Sequence, residues 1–154
     1  MLEYTNNGQQ KSIKIKSVMN KKEALELIEK GLFEEVEAIY WKDRDIVKKA
    51  IAESMDGLQF ADKSFHYDRD IVLEAVKKHG ASFGYLTNKE FLKDEEIILE
   101  AIKSHDYGVL ESCDESLLNN KKFMTKVLNL DSGALEYINE SLKKDPDIIK
   151  AAKR

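Results

Sequence analysis

One cysteine stands in a chain of 154 residues, which excludes an internal disulfide framework and any zinc site built from cysteine alone. Proline is as scarce, with one residue, and glycine numbers seven. No apolar run approaches about 18 residues, so no transmembrane helix is expected. The opening MLEYTNNGQQKSIKIK lacks the apolar stretch of a secretory signal. Basic residues are not in excess: 25 Lys and Arg face 29 Asp and Glu, a net charge of −4. What is present is a hydrophobic fraction of 42%, enough for a core, and a charged fraction of 35%, above the usual ~25%. The length predicts one domain. The composition predicts a soluble, helical, cytoplasmic protein.

Four segments repeat in register: DRDIVKKAI from Asp43, DRDIVLEAV from Asp68, DEEIILEAI from Asp94 and DPDIIKAAK from Asp145. A degenerate copy, NKKFMTKVL, starts at Asn120. Counted from the first Asp or Asn as zero, offsets 3, 4, 7 and 8 are apolar, apart from Lys153 in the last copy. That spacing is one face of an amphipathic helix. Asp43, Asp68, Asp94, Asn120 and Asp145 are read as N-caps, whose side chains accept from the free N–H groups of a first turn. Pro146, directly after Asp145, fits the first helical position and anchors that register. These aspartates are structural and not catalytic on this reading.

The second half of each unit repeats too. Leu58, Phe83, Leu110 and Leu135 align, then Ala61, Leu86, Cys113 and Ile138, then Phe65, Phe91, Leu117 and Leu142. Spacings of 3 and then 4 predict a short helix of about two turns and an anchor before the next cap, with Asp62, Asn88, Asp114 and Asn139 following that helix as polar residues do at a helix end or turn. Neither helix buries its stripe alone, so neighbouring units must stack. The expected fold is all-α: a short right-handed-type solenoid of helix pairs, each a long helix A and a short helix B, in five to six units. Residues 1–19 are expected to be a flexible arm, and 20–154 one repeat domain. Its units run at about 20–42, 43–67, 68–93, 94–119 and 120–144, with a terminal half-unit at 145–154. In the divergent first unit, Asn20 and Glu23 make a capping box, Gly31 is a helix stop, and Leu32 to Tyr40 is a second helix.

The recurring D-x-x-I-V/I-x-x-A-V/I segment, its Gly-containing turn and its L/F anchors resemble the repeat family named domain of unknown function 4116. The resemblance covers about residues 42–154 and is closest over Asp68 to Phe91 and Asp94 to Leu117. Asn120 to Leu128 departs from it, with Phe123, Met124 and Val127 in place of Ile, Val and Ala. The resemblance implies a helical repeat array and implies no activity.

No catalytic constellation emerges. There is no G-x-S-x-G, P-loop, G-x-G-x-x-G or H-E-x-x-H. His79 and His105 share one offset in adjacent units, with Asp131 following, so the three could line a metal. A cation at a helix C-terminus, favoured by the dipole, is the stronger reading, with Gly80 as the C′ stop. His66 reads as half-buried packing. Cys113 takes a core slot beside acidic neighbours, which would quiet a thiol. The expectation is no enzyme activity, no metal, no cofactor and no membrane.

Charge is uneven. Residues 1–22 hold five Lys and one Glu; residues 94–119 hold eight acids and one Lys, a net of −7; residues 120–154 carry a net of +3. The unit 94–119, with Glu95, Glu96, Glu100, Glu111, Asp114 and Glu115, is a candidate docking face for a basic partner. Off-stripe Phe60, Tyr85 and Tyr137 on helix B, and Leu73 and Leu99 on helix A, are candidate contact residues, since aromatics are enriched at interfaces. The sequence therefore predicts a non-enzymatic protein–protein interaction module, a scaffold or a small inhibitor, the latter of a kind that a virus or mobile element encodes. The alternative is nucleic-acid binding through the Lys-rich arm and the basic C-terminal part, disfavoured by overall acidity.

Overall fold

The computed structural model describes residues 18–104 and 108–153. The expected N-terminal arm and His105 lie outside the described residues, apart from Val18 and Met19 at the arm's end. Within them every regular element is helical and none is a strand. The α-helices are α1 (Lys21–Glu29), α2 (Arg44–Glu53), α3 (Gly57–Phe60), α4 (Arg69–Lys78), α5 (Glu95–Ile102), α6 (Gly108–Ser112), α7 (Glu115–Leu118), α8 (Lys121–Leu130) and α9 (Pro146–Ala152). Among the described residues, 3₁₀ segments lie between α1 and α2 (two), α3 and α4 (one), α4 and α5 (two), and α8 and α9 (one).

The five predicted caps all cap. Asp43 accepts from the N–H groups of Asp45 and Ile46, Asp68 from Asp70 and Ile71, and Asp94 from Glu96 and Ile97. Asn120 accepts from Lys122 and Phe123, and Asp145 from Asp147. Asn20 and Glu23 form the capping box of α1, and Gly31 takes φ +71° just past its end, a left-handed conformation suited to glycine.

Behind each cap the apolar stripe is sealed. Ile46, Val47, Ala50 and Ile51 on α2 are at most 1% exposed, and the same offsets are buried on α4, α5 and α8. These residues belong to one core that runs from Ala24 to Ala151. The longer helices α1, α2, α4, α5, α8 and α9 pack each on the next in chain order. In α9 the register shifts: Ile148 and Ala151 are buried, whereas Ile149 is 40% exposed. This helix packs against α8 and the 3₁₀ segment Ser132–Tyr137.

The second half of each unit is not the expected two-turn helix. It is two separate turns with an extended residue between them. In the unit after Asp43, α3 ends at Ala61 (ψ 147°), and Asp62 then caps a 3₁₀ turn, Lys63–Tyr67, by accepting from the Ser64 N–H. Asn88 and Asp114 do the same for Lys89–Lys93 and α7. A polar side chain that caps a new turn ends the previous one. Leu32 to Tyr40 breaks likewise, into Phe33–Glu35 and Ala38–Lys42. In the unit after Asn120, Ala134 is fully buried and Leu135 is 36% exposed, so the anchor there is one residue earlier than the alignment predicts.

Gly80 is not a left-handed stop, since Gly31 alone has positive φ among the described glycines. It allows close approach instead: a Cβ there would lie 2.8 Å from the Ala101 carbonyl oxygen. Gly57 is tighter still, with a Cβ 2.3 Å from the Ala50 carbonyl carbon. Between units the backbone repeats a bond: the Asp62 N–H donates to Trp41 O and the Asp114 N–H to Leu92 O, both at 2.9 Å.

Candidate interaction surface

The exposed side of the row of long helices is organised by charge. The residue after each cap reaches to the next cap. Lys21 binds Asp43 and Asp45, each at 2.8 Å. Arg44 pairs with Asp68. Arg69 donates to both oxygens of Asp94, from Nε at 2.7 Å and Nη2 at 3.1 Å, and reaches Glu96 at 2.6 Å. Lys121 binds Asp145 at 2.9 Å and Asp147 at 2.6 Å. The cation beside each cap holds Asp43, Asp68, Asp94 and Asp145 below the ordinary carboxylate range, and backbone N–H groups add to the effect.

One junction breaks the pattern. The residue after Asp94 is Glu95, the next cap is neutral Asn120, and offset 2 is Lys122 where other units have an acid. Glu95 instead accepts from Lys126 at 2.6 Å. All three changes are of one kind: an anionic reach would repel an aspartate cap. The α5–α8 junction therefore lacks the paired rung of its neighbours.

Two grooves flank α8. Between α5 and α8 lies a groove of about 550 Å³, with Leu99 and Leu130 as its apolar part and Glu95, Glu96 and Glu100 on the α5 side. Between α8 and α9 lies one of about 730 Å³, with Lys121, Lys122, Thr125 and Lys150 around it. Both are lined by Lys126 and Asn129, so the two grooves adjoin along α8, the wall they share, and this pair of grooves is the trough of the surface. Leu130 is 44% exposed there.

The structure divides the predicted contact residues among several places. Leu99, Glu95, Glu96 and Glu100 meet in the trough. Leu73 lines a separate groove over α4 with Asp70 and Glu74. Leu73, Leu99, Phe60 and Tyr137 are partly buried against the core. Phe60 stacks on Trp41, with ring centroids 5.3 Å apart. The Tyr85 hydroxyl donates to Asp56, which holds the phenol above its ordinary range. Much of the acidic unit is already matched: Glu96 by Arg69 and Lys77, Glu100 by Lys103, and Asp114 by Lys93. Among the described residues no ion pair reaches Glu111 or Glu115, so the open acidic face is smaller than composition implies.

The remaining singled-out side chains are internal. Burial pushes the Cys113 thiol up to about 11, and its Sγ donates to Leu110 O at 3.4 Å. His66 is 6% exposed, more deeply buried than expected; His79 takes the C-cap position of α4, where its backbone N–H donates to Ala75 O and its buried Nε2 has no hydrogen-bond partner among the described residues. Among the described residues no group of three His, Cys, Asp or Glu could hold a metal ion, and no helix is long and apolar enough to cross a membrane.

The charge ladder is what sequence reading missed. Its signal was a cation one place after each cap and acids at offsets 0 and 2 one unit later.

Residues 43–92 and 68–118 match the family model described as Domain of unknown function (DUF4116). The matches overlap and end just before the divergent copy at Asn120. No curated protein and no solved structure matches the chain.

Proposed function

Taking residues 43–118 as a segment of the DUF4116 family, we propose that the chain is a non-enzymatic protein-interaction module. Its units form a short solenoid, and its partner lies along the trough over α5, α8 and α9. The observation that carries this reading is the composition of the trough. Leu99 and Leu130 supply apolar contact; Glu95, Glu96 and Glu100 stand on the α5 side with Lys103, and lysines on the α8 and α9 side with Asp147, the three glutamates being paired with Lys126, Arg69 and Lys103. Apolar contact with flanking charge of both signs suits a folded protein or an amphipathic helix, with charge fixing its direction. The helix-pair row gives such a partner a rigid bed.

Nucleic-acid binding is the second reading, favoured by the five lysines Lys103, Lys121, Lys122, Lys126 and Lys150 around the trough. Three of them are already neutralised, Lys103 by Glu100, Lys121 by Asp145 and Asp147, and Lys126 by Glu95. Phosphate contact would have to compete with those pairs.

Affinity capture with the tagged chain from its own cells, with and without nuclease, separates the two. A stoichiometric protein should survive nuclease and be lost from the variant Leu130→Glu/Lys150→Glu. Recovery only while nucleic acid is intact would support the second reading and overturn the first.

A further inference from the structure

A separate cavity of about 370 Å³ sits at the N-terminal end of the molecule, between the end of α1 and α3. Its apolar part is made by Leu32, Phe33 and Phe60. Leu32 is 40% exposed, and Phe60 is half-buried. Phe60 is held by Trp41, stacked at 5.3 Å, and by Phe33, edge-on at 5.5 Å. Trp41 and Phe33 are themselves edge-on at 6.2 Å, so the wall is a braced aromatic cluster and not a loose side chain.

Four carboxylates share this cavity: Glu34, Glu35, Glu53 and Asp56. Two are committed elsewhere. Glu53 pairs with Lys49 at 2.9 Å, and Asp56 accepts from Tyr85. Glu34 and Glu35, on the 3₁₀ turn Phe33–Glu35, have no ion-pair partner among the described residues. Carbon on one side and unneutralised carboxylates on the other define a ligand with a cationic head and an apolar or flat body. A bare metal ion would gain nothing from the Leu32, Phe33 and Phe60 wall. A guanidinium gains from both: its plane lies against aromatic carbon while its fork of donors reaches two carboxylates.

We infer that this cavity receives an arginine side chain from a basic segment of a partner protein. The assignment rests on the protein-binding reading above, at a place distinct from the trough. It names the chemistry of one contact: arginine on a surface of opposite charge.

The full chain provides its own reporter, because Trp41 is its single tryptophan and touches Phe60. Blocked peptides alternating glycine with arginine are titrated against the chain, with the citrulline analogue as the flat but neutral control. Binding is read by Trp41 fluorescence and by calorimetry in parallel. The expected result is saturable binding of the arginine peptide, weakened at least about tenfold in the citrulline analogue, the worth of about one charge-assisted hydrogen bond. Glu34→Gln/Glu35→Gln, a surface change that spares the core, should weaken it similarly, and Leu130→Glu/Lys150→Glu should leave it unchanged. Absence of saturable binding, equal binding of the citrulline peptide, or full binding by the Glu34→Gln/Glu35→Gln chain would overturn the assignment. Loss in the trough variant would move the contact to the trough. Failure of trough capture with arginine binding intact would overturn the trough reading alone.

Discussion

Arg69 forks onto both carboxylate oxygens of Asp94, the residue that caps the following helix. Asp94 thus has two jobs. It accepts from the Glu96 and Ile97 N–H groups of its own helix, and it receives a cation from the helix before. Local capping and packing between units meet in one side chain.

Asp94 variants separate those jobs. Asp94→Ala loses cap and ion pair and should cost about 0.5–2 kcal/mol in urea unfolding, the usual range for a lost cap. Asp94→Asn keeps an acceptor for the backbone, as Asn120 does in its own unit, and should cost clearly less. Equal losses would mean that the cap contributes nothing.

Acid should loosen the fold through the same residues. The carboxyls of Asp43, Asp68, Asp94 and Asp145 titrate below their ordinary 3.8 in the folded chain. Groups depressed by folding bind fewer protons in the folded state. Their contribution is complete above the unfolded value and is lost as pH falls through the folded ones. Urea midpoints should hold steady from these groups down to about pH 5 and fall below about pH 4. Asp94→Asn should fall less steeply than the parent chain.

The broken rung at α5–α8 makes a charge-exchange test. Glu95→Arg alone sacrifices the pair with Lys126 and faces a neutral cap, so it should destabilise the fold. With Asn120→Asp added, the rung seen at Arg69–Asp94 is rebuilt. A double-mutant cycle should give a favourable coupling of about 0.2–1 kcal/mol, the range of exposed pairs. Zero coupling would show that the ladder is geometry without energy.

Close backbone approach gives a steric pair. Gly57→Ala would put a Cβ 2.3–2.4 Å from backbone atoms of Ala50 and Ile51, which cannot move aside alone. It should cost at least about 1–3 kcal/mol, the range for overpacking. Gly84 has nothing within 4 Å of its Cβ position, so Gly84→Ala should shift the thermal midpoint little.

These tests divide along what the sequence made readable. The caps and the stripes at offsets 3, 4, 7 and 8 were legible because an N-cap and a 3.6-residue period are local signals. The second halves were legible only in part: Asp62, Asn88 and Asp114 stand at helix ends or turns as expected, but the two-turn helix before them is absent. Leu58, Ala61 and Phe65 keep helical spacing across a chain that stops being helical at Ala61, because Asp62 starts a new turn. Periodicity alone does not distinguish one helix from two turns with an extended residue between them. Leu135 lost its core place to Ala134 for the same reason: a short turn sets its register by packing against α8, not by spacing. Of the candidate surface, Leu99 and its glutamates were found, but their neighbours on α8 and α9 were not. That grouping needs the stacking angle between helices, which no single unit encodes.

The central claim is that a protein partner lies along the trough over α5, α8 and α9. A photo-crosslinking residue placed at Leu130, in the trough, tests it most directly, with a second chain labelled at Ile39, 71% exposed and outside the trough, as control. Irradiated in the cells that make the protein, the Leu130 chain should yield one discrete protein adduct and the Ile39 chain none. No adduct at Leu130, or the same adducts from both positions, would contradict the claim.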